Sequence, residues 1–470
     1  MSFARSDAIS TAIPTSVGAM SRPALAALAA LLLLPASATA ATKVPGVAAA
    51  GPSKYDASYV TKFGPSSAKT VLVLVPGFSG GAGTFNIVGP ELADRVPGLQ
   101  VWAVDRRSQP LEDTSVFKRG LRDEATLQQV YDFYIGWIRD QSIQPRYSPP
   151  PTESLKFAAE WGLPTHLGDL RRVVRAARRG GRRVILGGHS LGASTAAIYA
   201  SWDFGGQPGY KDLDGIVLID GGALGTFNDT DRVGDIRERL EQIREQPFAD
   251  LVGVGLPWAQ GIFTGLGGLY ALKDPTGESP FWNDEILPAK FRPDVPVTNR
   301  ALLARAFDAD TSPPELGLIH LRAGSLAPSG EPRDWVDGEV TPSENVAAFF
   351  GAQEPNGVEW FFPLRLSLDV DAASELARNA ATRELKLRPF HARRVNVPLY
   401  AFQTDLTEGR VLRGARRYIA RSRIPRRASK LVDRATTTSH LDPVTAAPAT
   451  NDFVKTVVPF LKRAIRRARR

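Results

Sequence analysis

The residues around Ser190 form a pattern that can activate a serine hydroxyl as a nucleophile. They read Gly188, His189, Ser190, Leu191, Gly192, a G-x-S-x-G motif. A β-branched apolar run precedes the motif and a helical pattern follows it, so the serine is predicted to lie in a sharp strand-to-helix turn. Small residues two positions before and after the serine let strand and helix approach closely there. The motif predicts a nucleophile elbow; an ordinary glycine turn capped by Ser190 is the alternative.

A serine nucleophile needs a general base, and a histidine downstream of it is expected to take its proton. The chain has five histidines. His440 follows a short apolar run and precedes a helical pattern near the C-terminus, which is the expected position of the base. His320, in a long Pro- and Gly-rich stretch, and His391, just before another apolar run, are the alternatives.

The base in turn needs a carboxylate that orients its ring and stabilises the imidazolium. Two aspartates between Ser190 and His440 follow apolar strand patterns. Asp405 comes after the run Val397–Phe402, and Asp220 closes the run Gly215–Ile219. We favour Asp405 as the acid, and Asp220 stays open as its rival.

An attacked carbonyl develops an oxyanion, which preorganised backbone N–H groups stabilise. Leu191, directly after the serine, is expected to supply one donor. Phe78, in the glycine-rich loop after the first core strand, is expected to supply the other. That loop fits no phosphate-binding motif, and the sequence has no H-E-x-x-H motif, so we expect neither a cofactor nor a metal.

Six segments together resemble the α/β-hydrolase superfamily: Val71–Phe78, Val101–Arg106, Val184–Ser194, Gly215–Asp220, Val397–Asp405 and Ser439–Pro443. The resemblance implies an eight-stranded, mostly parallel sheet. It also implies that Ser190 is the nucleophile, Asp405 the acid, His440 the base, and Phe78 and Leu191 the oxyanion donors. A serine at position 190 argues against epoxide hydrolase and haloalkane dehalogenase chemistry.

The elements that must position these residues are short β-branched runs that alternate with helical patterns, which predicts an α/β fold with a mostly parallel sheet flanked by helices. Besides the strands within those segments, Lys430–Val432 is a candidate. Leu167–Arg178 and Phe453–Ile465 are the clearest helices. The stretch 223–395 interrupts the alternation and is predicted to be an inserted cap or lid. The core then comprises residues 41–222 and 396–470.

Five aromatic residues of the predicted cap are candidates for an acyl pocket: Phe349, Phe350, Trp360, Phe361 and Phe362. The insertion is not enriched in aromatic residues overall. Most of these rings are therefore expected to form ordinary cap core.

The N-terminus has the pattern of an export signal, which predicts a secreted or extracytoplasmic protein. Arg22 precedes the apolar run Ala24–Leu34, and small residues follow up to Ala41. Eleven apolar residues are too few to span a bilayer, so residues 1–40 are expected to be cleaved. Translation is expected to begin at Met20 rather than Met1, and an uncleaved anchor is the alternative.

The 470-residue chain is 43% hydrophobic, which excludes wholesale disorder, and it contains no cysteine, which excludes disulfides and thiolate chemistry. Its net charge of +9 is concentrated at the C-terminal end, where 17 Lys or Arg and three acids lie between Arg410 and Arg470. A solvated surface explains much of this charge, and association with an anionic cell envelope is the functional hypothesis. Nucleic acid is not expected, because Tyr418 is the only aromatic residue among the basic residues 410–430.

These observations predict a secreted serine hydrolase that cleaves a lipid ester or a small acyl ester through an acyl-enzyme. Two alternatives share the fold. One is an extracellular acyltransferase that passes the acyl group to an alcohol other than water. The other is a binding protein that has lost catalysis.

Overall fold

The computed structural model describes residues 39–226 and 233–466. The predicted export signal lies outside the described residues, except for its last two positions, which begin the first strand. The chain from Ala38 onward clusters into one compact unit. No helix in the described ranges is both long and apolar enough to cross a membrane.

The unit is built on an eight-stranded sheet. Its strands are β1 (Thr39–Pro45), β2 (Ala57–Phe63), β3 (Thr70–Val75), β4 (Leu99–Asp105), β5 (Arg183–His189), β6 (Gly215–Ile219), β9 (Leu399–Gln403) and β10 (Lys430–Asp433). Their spatial order is β1-β2-β4-β3-β5-β6-β9-β10. Strand β2 runs antiparallel to both of its neighbours, and all other pairs are parallel. This sheet confirms the predicted α/β class and the α/β-hydrolase fold.

The described part of the chain contains fourteen α-helices, some of which cover the two faces of the sheet. They are α1 (Val88–Arg95), α2 (Ser115–Leu121), α3 (Leu127–Tyr134), α4 (Leu163–Arg178), α5 (Leu191–Ser201), α6 (Val233–Glu245), α7 (Ala259–Lys273), α8 (Asn299–Phe307), α9 (Ser343–Gly351), α10 (Leu364–Ala373), α11 (Ala380–Glu384), α12 (Arg410–Arg421), α13 (Asp442–Thr445) and α14 (Asp452–Arg466). All six residues of β3 are buried, as expected for a strand covered on both sides. Leu72 and Leu74 pack into one core with α1 and α14, whereas Val71 and Val73 pack into another with α4, α5 and α12.

The six predicted strands and two predicted helices are all present. Their ends differ from prediction by a few residues, as with Val397, which precedes β9 rather than opening it. Strand β1, at one edge of the sheet, and its antiparallel neighbour β2 were not predicted. Strand β2 carries Ser58, Thr61 and Lys62 among its apolar residues, so its pattern lacks the long apolar run of the central strands.

The chain between β6 and β9 contains the predicted insertion. Its described part holds α6 to α11 and a hairpin of β7 (Gly324–Leu326) with β8 (Trp335–Asp337). Helix α7 packs against α8 and α9. Buried residues of these three helices belong to the same apolar core as one face of the sheet, so this part of the insertion packs as an extension of the core.

Candidate functional site

Ser190 lies in the predicted strand-to-helix turn. It separates the end of β5 from the start of α5 and has φ 55° and ψ −126°, a conformation that a non-glycine residue rarely adopts. A Cβ atom on Gly188 would lie 2.4 Å from Gly192, and one on Gly192 would lie 2.0 Å from the carbonyl oxygen of Val75. The two glycines are therefore required because the backbones touch at this point.

The buried ring of His440 is held by Asp220. Its Nδ1 lies 2.5 Å from Oδ2 of Asp220, and both side chains are almost fully buried. Thr404 donates its N–H to the same carboxylate over 2.8 Å, and its hydroxyl donates a second bond. Burial acts to raise the pKa of Asp220, but these hydrogen bonds and the charge of His440 outweigh it and lower that pKa below its ordinary value. Asp220 is therefore anionic beside the ring.

The predicted pairing of Asp405 with His440 is wrong. The Asp405 carboxylate instead accepts a hydrogen bond of 2.7 Å from the Ser439 hydroxyl and lies 3.5 Å from the Arg322 guanidinium. Asp405 follows β9 by two residues, whereas Asp220 directly follows β6 and turns toward the histidine with φ 44°. The alternative considered in the sequence analysis, Asp220, is thus the residue that contacts His440.

His189 supports the backbone of His440. Its Nε2 lies 2.8 Å from the His440 carbonyl oxygen, which can only accept, so this nitrogen carries a proton. Burial lowers the pKa of His189 to about 3, so its ring is neutral at neutral pH. The alternative bases lie elsewhere, because His320 contacts the carbonyl of Pro313 and His391 contacts Asp203.

The two expected oxyanion donors are Leu191, next to Ser190 in the chain, and Phe78, in a loop that passes close to Ser190. Leu191 is the first residue of α5, so its N–H has no acceptor within the helix. Phe78 lies in the loop after β3 and lines the same cavity as Ser190 and His440. That loop passes so close that a Cβ atom on Gly77 would lie 2.9 Å from the Cβ of Ser190.

A buried arginine fixes this loop. Arg106 donates hydrogen bonds to the carbonyl oxygens of Pro76, Gly77 and Gly80 over 2.7, 3.0 and 2.9 Å. It also pairs with the carboxylate of Glu359 at 2.6 Å, with both side chains at most 5% exposed. Burial raises the pKa of Glu359, which is only partly offset by Arg106 and the hydroxyl of Ser108. The sequence analysis did not identify this pair.

The insertion also contacts the same loop through its backbone. The N–H of Glu359 donates to the carbonyl of Ser79, and the N–H of Gly81 donates to the carbonyl of Gly357. Gly83 donates in the same way to Asn356 over 2.9 Å. The segment 356–359 therefore forms part of the loop's support.

A second buried carboxylate joins the insertion to the His440 loop. Asp442 accepts hydrogen bonds from the N–H of Ser439, the N–H of Arg322 and the hydroxyl of Thr341, over 2.7, 2.9 and 2.8 Å. Burial raises its pKa to about 7. The insertion thus contacts both the loop after β3 and the loop that carries His440.

A cavity of about 340 Å3 opens onto Ser190 and His440. Its walls are mostly aliphatic and aromatic side chains of the insertion, and among the described lining residues Glu315 is the only carboxylate. Two of the five candidate aromatic residues, Phe349 and Phe350, line it. The other three are core residues, as expected for most of them: Trp360 packs on Phe117 and Tyr134, Phe361 on Phe248, and Phe362 on Phe78.

No protein-family model matches the chain, and no curated protein sequence does. Solved structures are similar to it at low identity. A suspected lipase from Sulfolobus solfataricus is 18% identical, with 90% of this chain and 99% of that one covered and a TM-score of 0.47. The monoacylglycerol lipase of Paleococcus ferrophilus is 12% identical, with coverages of 87% and 99% and a TM-score of 0.39.

A third structure, an epoxide hydrolase from an endophytic Streptomyces, is 14% identical, with 92% of this chain and 96% of that one covered and a TM-score of 0.41. All three scores lie below 0.5. The assignment of the fold therefore rests on the strand order and the strand-to-helix turn at Ser190. Within the described residues, no group of three or more His, Asp or Glu side chains is arranged to hold a metal.

Replacing Glu359 with alanine is expected to destabilise the protein by about 3 to 5 kcal/mol, because it leaves the buried Arg106 charge without its partner. Chemical denaturation of the Glu359→Ala variant measures this loss. The control is Glu384→Ala, which breaks the solvent-exposed pair with Arg237 and is expected to leave the unfolding midpoint nearly unchanged. Equal midpoints for the two variants would contradict a structural role for the buried pair.

Proposed function

We propose that this chain, which has the α/β-hydrolase fold, is a serine hydrolase that cleaves carboxylic esters. Ser190 is the nucleophile, His440 the general base and Asp220 the acid that orients it. The observation that carries the proposal is the buried hydrogen bond between His440 and Asp220 beside a cavity that also exposes Ser190. The strained turn at Ser190 supports it, because such strain is retained where it serves a function.

In the proposed reaction, Nε2 of His440 takes the proton of the Ser190 hydroxyl as its oxygen attacks the ester carbonyl. The N–H groups of Phe78 and Leu191 stabilise the oxyanion. His440 then gives the proton to the departing alcohol, which leaves an acyl-enzyme. Water attacks this ester while His440 takes a proton from it as the base. His440 then returns that proton to the Ser190 oxygen as the acid is released. Asp220 stabilises the imidazolium in both halves, and the reaction needs no cofactor.

The walls of the cavity indicate an apolar acyl group as the substrate's larger part. Phe263, Leu266, Leu303 and Phe307 present only hydrocarbon to it. An anionic acyl group would lose its hydration there without a cationic partner, since no lysine or arginine is found among the described lining residues. We therefore propose a neutral ester with an apolar chain.

A fluorophosphonate probe, which reacts with activated serines, tests the assignment of the residues. Labelling is expected to vanish in Ser190→Ala and to slow by about 10^2- to 10^4-fold in Asp220→Asn, because the amide no longer fixes the reactive tautomer of His440. Asp405→Asn is the matched control. It keeps the Asp220–His440 bond and is expected to retain most of the labelling rate.

A labelling loss as severe in Asp405→Asn as in Asp220→Asn would contradict the choice of acid. Absence of labelling in the folded wild-type protein would contradict the hydrolase and favour the binding protein. Product analysis with added alcohols separates hydrolysis from acyl transfer, since an acyltransferase would form the new ester in preference to the free acid.

We also propose that the mature protein is exported and associates electrostatically with an anionic cell envelope. Eight exposed arginines support the association. They lie on α12, before β9 and before β10: Arg393, Arg394, Arg413, Arg416, Arg417, Arg423, Arg426 and Arg427. Their charges attract phosphate groups at long range, and salt screens this attraction.

Neutralising Arg416, Arg426 and Arg427 with glutamine is expected to weaken binding to phosphatidylglycerol vesicles by about 1 kcal/mol per arginine. Cosedimentation at low and at high salt measures the effect. The matched control replaces three exposed arginines elsewhere on the protein with glutamine: Arg122, Arg139 and Arg244. Equal losses in the two variants would assign the attraction to net charge and not to this surface.

A further inference from the structure

Large apolar side chains are exposed at the mouth of the cavity. Seven large hydrophobic residues are exposed in the described part of the chain: Ile138, Leu251, Val254, Leu256, Leu318, Val336 and Phe390. Leu251, Val254 and Leu256 come from one short loop before α7. Leu251 and Leu318 are also among the residues that line the cavity. We call Leu251, Val254, Leu256 and Leu318 the mouth surface.

The loop before α7 pairs its own polar groups while its apolar side chains remain exposed to solvent. The carboxylate of Asp250 accepts hydrogen bonds from the N–H groups of Gly253 and Gly255 over 2.9 and 2.6 Å. Both glycines have positive φ, 79° and 77°, which side-chain-bearing residues rarely adopt. The backbone is thereby satisfied around Asp250, while Val254 between the glycines remains 50% exposed.

The mouth surface is continuous with the apolar interior. Leu251 and Val252 line the cavity, and the same chain segment continues into α7, where Phe263 and Leu266 also line it. An apolar path therefore leads from the exposed loop to Ser190. A substrate that entered from solution in water would not require exposed apolar side chains at the mouth, because a polar surface would admit it equally well.

We propose that the mouth surface docks onto a lipid–water interface and that the substrate is a long-chain ester drawn from a lipid aggregate. Contiguous exposed apolar side chains mark interaction sites on soluble proteins. A protein partner seated here would close the entrance to Ser190, whereas a lipid surface covers the same side chains and supplies the apolar ester. The inference rests on the proposed ester hydrolase for its substrate, but the docking is measurable without turnover.

The docking test uses neutral phosphatidylcholine vesicles, because these carry no net charge that would attract the exposed arginines. In a Ser190→Ala background, Val254→Asp is expected to reduce vesicle cosedimentation about tenfold or more, since a carboxylate enters apolar surroundings at high cost. Val336→Asp is the matched control: the same substitution at a valine that is 49% exposed on β8 and does not line the cavity. It is expected to bind like its parent.

The substrate test compares a short, monomeric p-nitrophenyl ester with a long-chain ester below and above the concentration at which it aggregates. We expect the wild-type rate on the long-chain ester to rise steeply when aggregates form. Val254→Asp is expected to lose this rise by about tenfold and to keep its rate on the monomeric ester, while Val336→Asp keeps both. Thermal unfolding verifies that each variant folds, and Leu256→Ser replaces Val254→Asp if that variant does not.

The outcomes separate this inference from the proposed function. Turnover of the monomeric ester together with equal behaviour of Val254→Asp and Val336→Asp overturns the docking and leaves the hydrolase intact. Selective loss of vesicle binding in Val254→Asp without turnover of any ester overturns the hydrolase and retains the docking surface. Selective loss of both vesicle binding and the rise on aggregates supports both.

Discussion

The hydrogen bond between Asp220 and His440 is the interaction on which the rest of the candidate site depends. It joins the end of β6 to a loop 220 residues further along the chain. The parallel pairing of β6 with β9 sets Ile219 opposite Phe402, which brings the N–H and hydroxyl of Thr404 to the Asp220 carboxylate. These donors offset the cost of burying the anion. The sheet register therefore holds the Asp220 carboxylate beside the ring of His440.

The insertion is part of the machinery that positions the site, in addition to covering it. Glu359 supports Arg106, which binds three carbonyls of the loop after β3, and Asp442 holds Arg322 and Thr341 against the loop of His440. Both attachments are buried. A cap that swung away as a rigid lid would have to break both, at the cost of unpaired buried charge. Any movement that admits substrate is therefore expected in the exposed loop before α7.

The fold and the elbow could be predicted from the sequence because their signals are local. Continuous apolar runs such as that of β3 require burial on both faces, and Gly188 and Gly192 mark a backbone contact within five residues. Local signals could not decide which aspartate contacts His440. Asp220 and Asp405 follow neighbouring parallel strands, which lie only about 4.8 Å apart, so chain order fits both. The directions in which the two carboxylates point depend on the geometry of the turns after the strands, and that geometry has no signature in the sequence.

Contacts between distant segments were missed for a similar reason. Arg106 and Glu359 are 253 residues apart, and neither lies in a pattern that indicates the other. Glu359 directly precedes an aromatic stretch whose sequence suggests a pocket wall. In the structure, Trp360 and Phe361 are instead buried in the apolar core. Only the packed structure shows that this stretch supports the loop after β3.

The exposed arginines proposed to meet an envelope are not confined to one edge of the sheet. Arg394 precedes β9 and Arg427 precedes β10, so both lie near the amino ends of parallel strands. Arg417 instead donates to the carbonyl of Leu224, five residues after the carboxyl end of β6, the same edge at which Ser190 follows β5. Attraction by these charges acts at long range and does not by itself select one edge of the sheet. Under the proposed docking, the exposed apolar side chains of the mouth surface are what set the orientation on a lipid surface.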